Sequence, residues 1–176
     1  MIFTETKLKG VFIIDIEPIS DERGFFARTF CKKEFLQRGL VSEFVQCSIS
    51  YNKKRGTLRG LHYQISPYEE TKIVSCIKGS IYDVVLDLRS DSDTLRQWVA
   101  VELNDKNQRL LYIPKGCAHG FQTMEDATEV YYQISEFYHP ESARGLRWDD
   151  RAFGIEWPGE ADNISPRDLT FPLYEL

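Results

Sequence analysis

The chain has 176 residues, 42% hydrophobic and 28% charged, which is enough for one domain that buries a core without disulfide or metal staples. Its formal net charge of −5 sets it against nucleic acid and anionic membranes, so an anionic ligand must be held by a few local Arg or Lys side chains. No apolar run reaches the ~18 residues of a membrane span, and the N-terminal MIFTETKLKG lacks a signal-peptide core. The four cysteines are scattered with no C-x-x-C pair, so the expectation is a cytoplasmic protein with reduced thiols.

Along the chain, short strand-like runs alternate with Gly, Pro, Asn and Asp breakers. Strands are expected at 11–17, 25–31, 44–50, 57–65, 72–78, 81–88, 97–103, 109–113, 120–124 and 129–136. One helix is expected at 32–38, with Phe35 and Leu36 as its apolar contacts. In IYDVVLDLR the alternation puts Tyr82, Val84, Leu86 and Leu88 on one face and Ile81, Asp83, Val85 and Asp87 on the other. Gly79 between Lys78 and Ser80 reads as a tight hairpin joining that run to 72–78. Beyond Pro140 the chain turns irregular, with Trp148, Phe153 and Trp157 as anchors onto a sheet. Many strands and few helices imply an all-β antiparallel sandwich or barrel of jelly-roll type, able to enclose one ligand.

The chain has three histidines. His62 lies mid-strand and by alternation shares a face with Gly60 and Gln64. His119 follows the turn Pro114-x-Gly116-x-x-His119, which delivers it to the start of a strand. A lone strand histidine is as often a hydrogen-bonded structural group as a functional one. Gly60, between Arg59 and His62, offers room for a ligand to approach the backbone. Lys72 opens a run that otherwise reads as buried, and of Tyr131 and Tyr132 one must point inward. Lys72 as an exposed strand-end charge and Tyr132 as an ordinary core aromatic are the plainer explanations.

The run Gly56-Thr57-Leu58-Arg59-Gly60-Leu61-His62-Tyr63-Gln64 resembles the signature of the dTDP-4-dehydrorhamnose 3,5-epimerases, and Pro114-x-Gly116-x-x-His119 the second cupin motif. Further matches run in order from Asp21-Glu22-Arg23-Gly24-Phe25-Phe26 through Lys72-Ile73-Val74 and Tyr82–Arg89 to Ser165-Pro166-Arg167-Asp168. The resemblance implies a single cupin-like domain over 1–176 that needs no cofactor, because the substrate's ketone acidifies the carbons beside it. It implies His62 as base, Asp168 as its carboxylate partner, Tyr132 as proton donor and Lys72 as the cation at the enolate oxygen. Arg23 and Arg59 match positions that contact the diphosphate or sugar of a dTDP-linked 4-keto-6-deoxy sugar. Phe26 is expected to pack near the nucleotide base and Gln46 to hydrogen-bond it. His119, Arg167 and Tyr138 match further substrate positions, Tyr138 against the sugar. The chain departs from the family at Arg28, where a glutamate is usual, at Gln46-Cys47-Ser48, usually Gln-Asp-Asn, and at Ala143. The resemblance implies that those positions contact the nucleotide, so they bear on which base, and which sugar, is bound. A homodimer with exchanged N-terminal strands is also implied, Arg23 and Phe26 serving the neighbour's site.

Two other readings belong to the same fold. A metal-dependent cupin would need His62 and His119 joined by Glu69, since Tyr63-Gln64 replaces the second histidine of the usual pair. A non-catalytic sugar-nucleotide binder would have lost the base or the donor, whereas both are kept. Within the enzyme class, an epimerase acting on one carbon uses the same base and acid.

Overall fold

The computed structural model describes residues 1–174. Its elements in chain order are β1 (Ile2–Glu5), β2 (Phe12–Asp15), β3 (Ile19–Asp21), β4 (Gly24–Phe26), α1 (Lys32–Leu36), β5 (Gln46–Asn52), β6 (Thr57–Gln64) and β7 (Lys72–Lys78). They continue with β8 (Ser80–Asp87), β9 (Trp98–Asn104), β10 (Leu110–Ile113), β11 (Cys117–Thr123), β12 (Thr128–Ile134), β13 (Ala143–Gly145), β14 (Asn163–Ile164) and α2 (Pro166–Leu169). One sheet runs β1-β2-β10-β7-β12-β5 and the other β13-β6-β11-β8-β9, with β14 added in parallel to β6. All remaining pairs are antiparallel. The architecture is the all-β, cupin-type jelly-roll sandwich that the strand pattern implied.

The inner faces meet over Val74, Val85, Leu111, Phe121 and Val130. Val84 and Leu86 point the other way, under a cover formed by Leu146, Phe153 and Trp157. The expected alternation of β8 therefore holds, and both of its faces are buried because the irregular C-terminal segment packs on the outer one. A third cluster gathers Phe35 of α1 with Ile14, Ile73 and Tyr112 against the first sheet.

Several expectations are corrected. Lys78-Gly79-Ser80 is not a hairpin, since β7 and β8 lie in different sheets. Gly79 instead turns the chain from one layer into the other at φ +78, where a Cβ would sit 2.5 Å from the Thr128 hydroxyl. The run 25–31 is strand only as far as Phe26, and it pairs with β3 in a separate two-stranded hairpin. β11 begins at Cys117, so His119 stands inside the strand and not at its start. The short strands β1, β3, β13 and β14 and the helix α2 carry too few residues for a periodic signal of their own. Their pairing partners create them.

Candidate active site

The site starts from an irregularity in β6. His119 stands opposite His62, but Phe121 stands opposite Arg59, so β6 holds one residue more than β11 over this interval. Strict alternation would turn Arg59 and His62 to opposite faces; the extra residue brings both to the inner face. Gly60 makes this feasible. Its φ is +136, and a Cβ there would lie 2.5 Å from the Gly120 Cα. The space expected beside Gly60 for a ligand is thus filled by the neighbouring strand, and the ligand-approach reading of Gly60 is corrected.

β14 runs beside Thr57 and Leu58 and leads into α2, where the Ser165 hydroxyl accepts from the Asp168 amide at 3.1 Å. The Asp168 carboxylate then reaches the His62 Nε2 at 2.8 Å, and its other oxygen accepts from the Gly60 amide at 3.4 Å. Burial pushes the Asp168 pKa up, but the bond and charge of His62 and the donors from Gly60 and Ser165 outweigh it and hold the carboxyl below its ordinary range. An ionised carboxylate only accepts, so the proton of a neutral His62 sits on Nε2 and the lone pair is left on Nδ1. Asp168 is therefore at once the capped turn residue and the partner of His62.

The facing sheet supplies the other groups. Tyr132 stands opposite Val74 and points inward, whereas Tyr131 lies on the outer face. Burial, and then the nearby charge of Asp83, push the Tyr132 phenol up, with Arg59 opposing, so it remains protonated at neutral pH. The Lys72 ammonium lies 2.8 Å from a Glu70 carboxylate oxygen and donates to the His62 carbonyl at 3.5 Å. Lys72 is 8% exposed, and this pairing is what makes its burial tolerable. Arg59 donates from Nε to the Asn52 side-chain oxygen at 2.8 Å. The His119 Nε2 lies 2.7 Å from Asp83, and its ring meets Tyr132 edge-on with centroids 6.0 Å apart. Asp83 is fully buried and its second oxygen has no hydrogen-bond partner. Burial raises its pKa, with His119 and then Lys72 opposing.

Of the residues singled out from the sequence, Gln46, Ser48, Arg59, His62, Lys72, His119, Tyr132 and Tyr138 border one cavity of about 290 Å³ between the sheets. Asp168 stands behind His62. Four others do not reach it within one chain. Arg23 pairs with Asp21 on the exposed β3–β4 hairpin. Phe26 is 73% exposed and, with Arg28, borders a separate surface hollow. Arg167 is exposed and lies over the Phe171 ring.

Glu70, Asp83 and Asn52 belong to the site but were not anticipated. Asp83 had a visible signal, a carboxylate on the inward face of a strand with apolar neighbours. Glu70 lies in a loop and had none. The ligand set Glu69, His62 and His119 is not assembled: among the described residues no group of three or more His, Cys, Asp or Glu is placed to hold a metal. The four cysteines are free, and burial pushes the Cys76 and Cys117 thiols up to about 12.

A jelly-roll cavity with an imidazole on one wall and a protonated phenol and an ammonium on the other suits the movement of protons beside a carbonyl, the chemistry of an isomerase of the cupin class. The dTDP-4-dehydrorhamnose 3,5-epimerase family model matches residues 5–175. The chain belongs to that family. It is 46% identical to the dTDP-4-dehydrorhamnose 3,5-epimerase of Methanothermobacter thermautotrophicus, over 98% of this chain and 95% of the relative. The Bacillus anthracis str. Ames epimerase, solved with TDP and PPi bound, superposes with a TM-score of 0.94 at 38% identity, covering 98% of each chain. An epimerase from Legionella pneumophila, solved in complex with dTDP-4-keto-L-rhamnose, gives a TM-score of 0.91 at 38% identity over 97% of this chain and 91% of that one.

Proposed function

We propose that this protein epimerises dTDP-4-dehydro-6-deoxy-D-glucose at C3 and C5 to dTDP-4-dehydro-L-rhamnose, acting in the cytoplasm as one cupin-like domain per chain. The observation that carries the reading is the placement of His62 and Tyr132 on facing sheets with the cavity between them. Inversion at carbon requires removal of a proton from one face and its return to the other, and a base and an acid on opposite walls meet that need.

Each half-reaction follows from the groups present. The His62 Nδ1 takes the proton beside the C4 ketone, and Asp168 stabilises the imidazolium that forms. The electron pair of the broken C–H bond moves into the enolate, whose oxygen meets the Lys72 ammonium. The Tyr132 hydroxyl delivers a proton to the opposite face, and the enolate collapses to the ketone. Imidazolium and phenolate then return to their starting states by exchange with water at the open mouth. The substrate's own ketone makes both carbons acidic, so the cycle needs no cofactor. Arg59 and His119 border the same cavity and suit the diphosphate and sugar oxygens.

The working unit in this proposal is a homodimer. The β3–β4 hairpin exposes Ile19 and Phe26, and the first sheet exposes Ile49, Tyr51 and Ile77 on its outer face. A partner covering these residues would receive Arg23, Phe26 and Arg28 at the nucleotide end of its own cavity.

The test is to incubate chelator-treated protein with the dTDP-4-keto-6-deoxy sugar in D2O and follow deuterium at C3 and C5 by NMR. Label at both carbons, lost in His62→Ala, is the expected result. Label at one carbon makes it a single-site epimerase, and no label at either carbon overturns the reading.

A further inference from the structure

Two irregular loops form the rim of the cavity, residues 65–71 between β6 and β7 and residues 135–142 between β12 and β13. The first leads through Glu70 to Lys72, and the second carries Tyr138. Backbone bonds tie the two loops at their ends, from the Ile65 amide to the Ser142 carbonyl and from the Ser135 amide to the Thr71 carbonyl, and leave the stretches between them to be held relative to His62 by a side chain.

Gln64 supplies that connection. It lies two residues after His62 on β6 and is 3% exposed. Its Nε2 donates to the Tyr68 carbonyl at 2.9 Å and to the Phe137 carbonyl at 3.1 Å, and its Oε1 accepts from the His139 amide at 2.7 Å. A primary amide offers two donors and an acceptor in one plane. Here all three act on loop backbone. The loops are then joined to each other: the Tyr68 ring stacks on His139 with centroids 3.5 Å apart, and the Thr71 amide donates to the Ser135 hydroxyl at 2.9 Å. From the other side, Gln46 accepts from the Tyr138 amide at 2.9 Å.

We infer that Gln64 is a positioning residue that sets where Tyr138 and the Lys72–Glu70 pair stand relative to His62, and through them how deeply the sugar seats. C3 and C5 flank the ketone, so seating depth governs which of the two carbons is presented to the base. The inference rests on the epimerase reading above and adds a residue that acts on partition between the two carbons without touching substrate.

Gln64→Met keeps the length of the side chain and removes all three hydrogen bonds. Its KM is expected to rise roughly tenfold, as for about 1.4 kcal/mol of lost seating, with a smaller change in kcat. The ratio of deuterium wash-in at C3 to that at C5 is expected to shift. Amides in 65–71 and 135–142 should exchange faster with solvent, the other strands being unchanged. Gln64→Glu gives a pH signature that a packing role would not. An ionised carboxylate faces two carbonyl oxygens, whereas the protonated acid regains one donor, so its KM relative to wild type falls as pH is lowered. A folded Gln64→Met protein with wild-type loop exchange and an unchanged C3 to C5 ratio overturns the inference. Should that variant not fold, a pH-independent KM ratio in Gln64→Glu overturns it. Loop exchange is read without substrate, so it judges Gln64 even if wild-type protein labels neither carbon.

Discussion

His62 and Asp168 are 106 positions apart in the chain, and the imidazole Nε2 and a carboxylate oxygen are 2.8 Å apart in space. The carboxylate can only accept, and that single bond decides which ring nitrogen holds the proton. Asp168→Asn presents an amide that can donate to Nε2 and so transfers the ring proton to Nδ1, where the lone pair was. We expect kcat to fall by about 10²-fold or more. Stability follows the sign of the shift. The folded pKa of Asp168 is depressed, so its contribution is present above the ordinary aspartate pKa and is lost as pH falls through the folded value. Wild-type and Asp168→Asn melting temperatures should accordingly converge on acidification.

Tyr132→Phe removes the proton donor and leaves the base. Proton abstraction persists, and the enolate is reprotonated from the His62 side. In D2O this variant should exchange substrate protons with retained configuration while epimer formation falls by about 10²-fold or more. NMR of recovered substrate separates the two. Loss of exchange together with epimerisation would remove Tyr132 from the donor role.

Asp83→Asn tests the buried carboxylate behind His119. The amide oxygen still accepts from His119, but the charge is gone. The folded pKa of Asp83 is raised, so at neutral pH its ionised form costs stability, and the cost is relieved as pH falls through the raised value. The variant should melt higher than wild type by roughly 2–4 °C per kcal/mol relieved, with that advantage shrinking at acid pH. Activity should fall, because the negative charge behind the His119 ring at the cavity wall is lost. A thermal scan at two pH values and one kcat/KM measurement suffice.

Gly60→Ala places a methyl group against the Gly120 backbone at a positive φ. Strain and overpacking together should destabilise the fold by on the order of 3 kcal/mol. Denaturant titration measures this. A variant of wild-type stability would mean that β6 can adopt another register, and its activity should then be lost, because Arg59 and His62 would no longer share a face.

Arg23→Ala and His62→Ala test the exchanged hairpin when refolded together. Each homodimer has two defective sites, whereas a mixed dimer has one intact site if Arg23 serves the neighbour. Random mixing should recover about one quarter of wild-type activity. No recovery, or a monomeric mass with full activity, would place Arg23 outside the partner's site.

Much of the fold was readable in the sequence because it is local. β8 shows its two faces in IYDVVLDLR, whereas Lys72 and Tyr132 had plainer explanations in the sequence and are turned to the cavity by the pairing of β7 with β12. The His62 and Asp168 roles came from resemblance in ordered motifs, and no spacing rule pairs residues so far apart. Gly79 was misread because a tight turn looks the same in sequence whether its strands share a sheet or part into two layers.

By itself the sequence determined the positions of the longer strands, facing within regular ones such as β8, and the chemical types available to the cavity, since period-two alternation is a property of one backbone segment. Tertiary structure alone decided that Arg59 and His62 share a face, that Glu70 and Asp83 partner Lys72 and His119, and that the C-terminal segment delivers Asp168. Those outcomes depend on register between strands and on packing between sheets. Both are settled by contacts among distant residues, which no local pattern encodes.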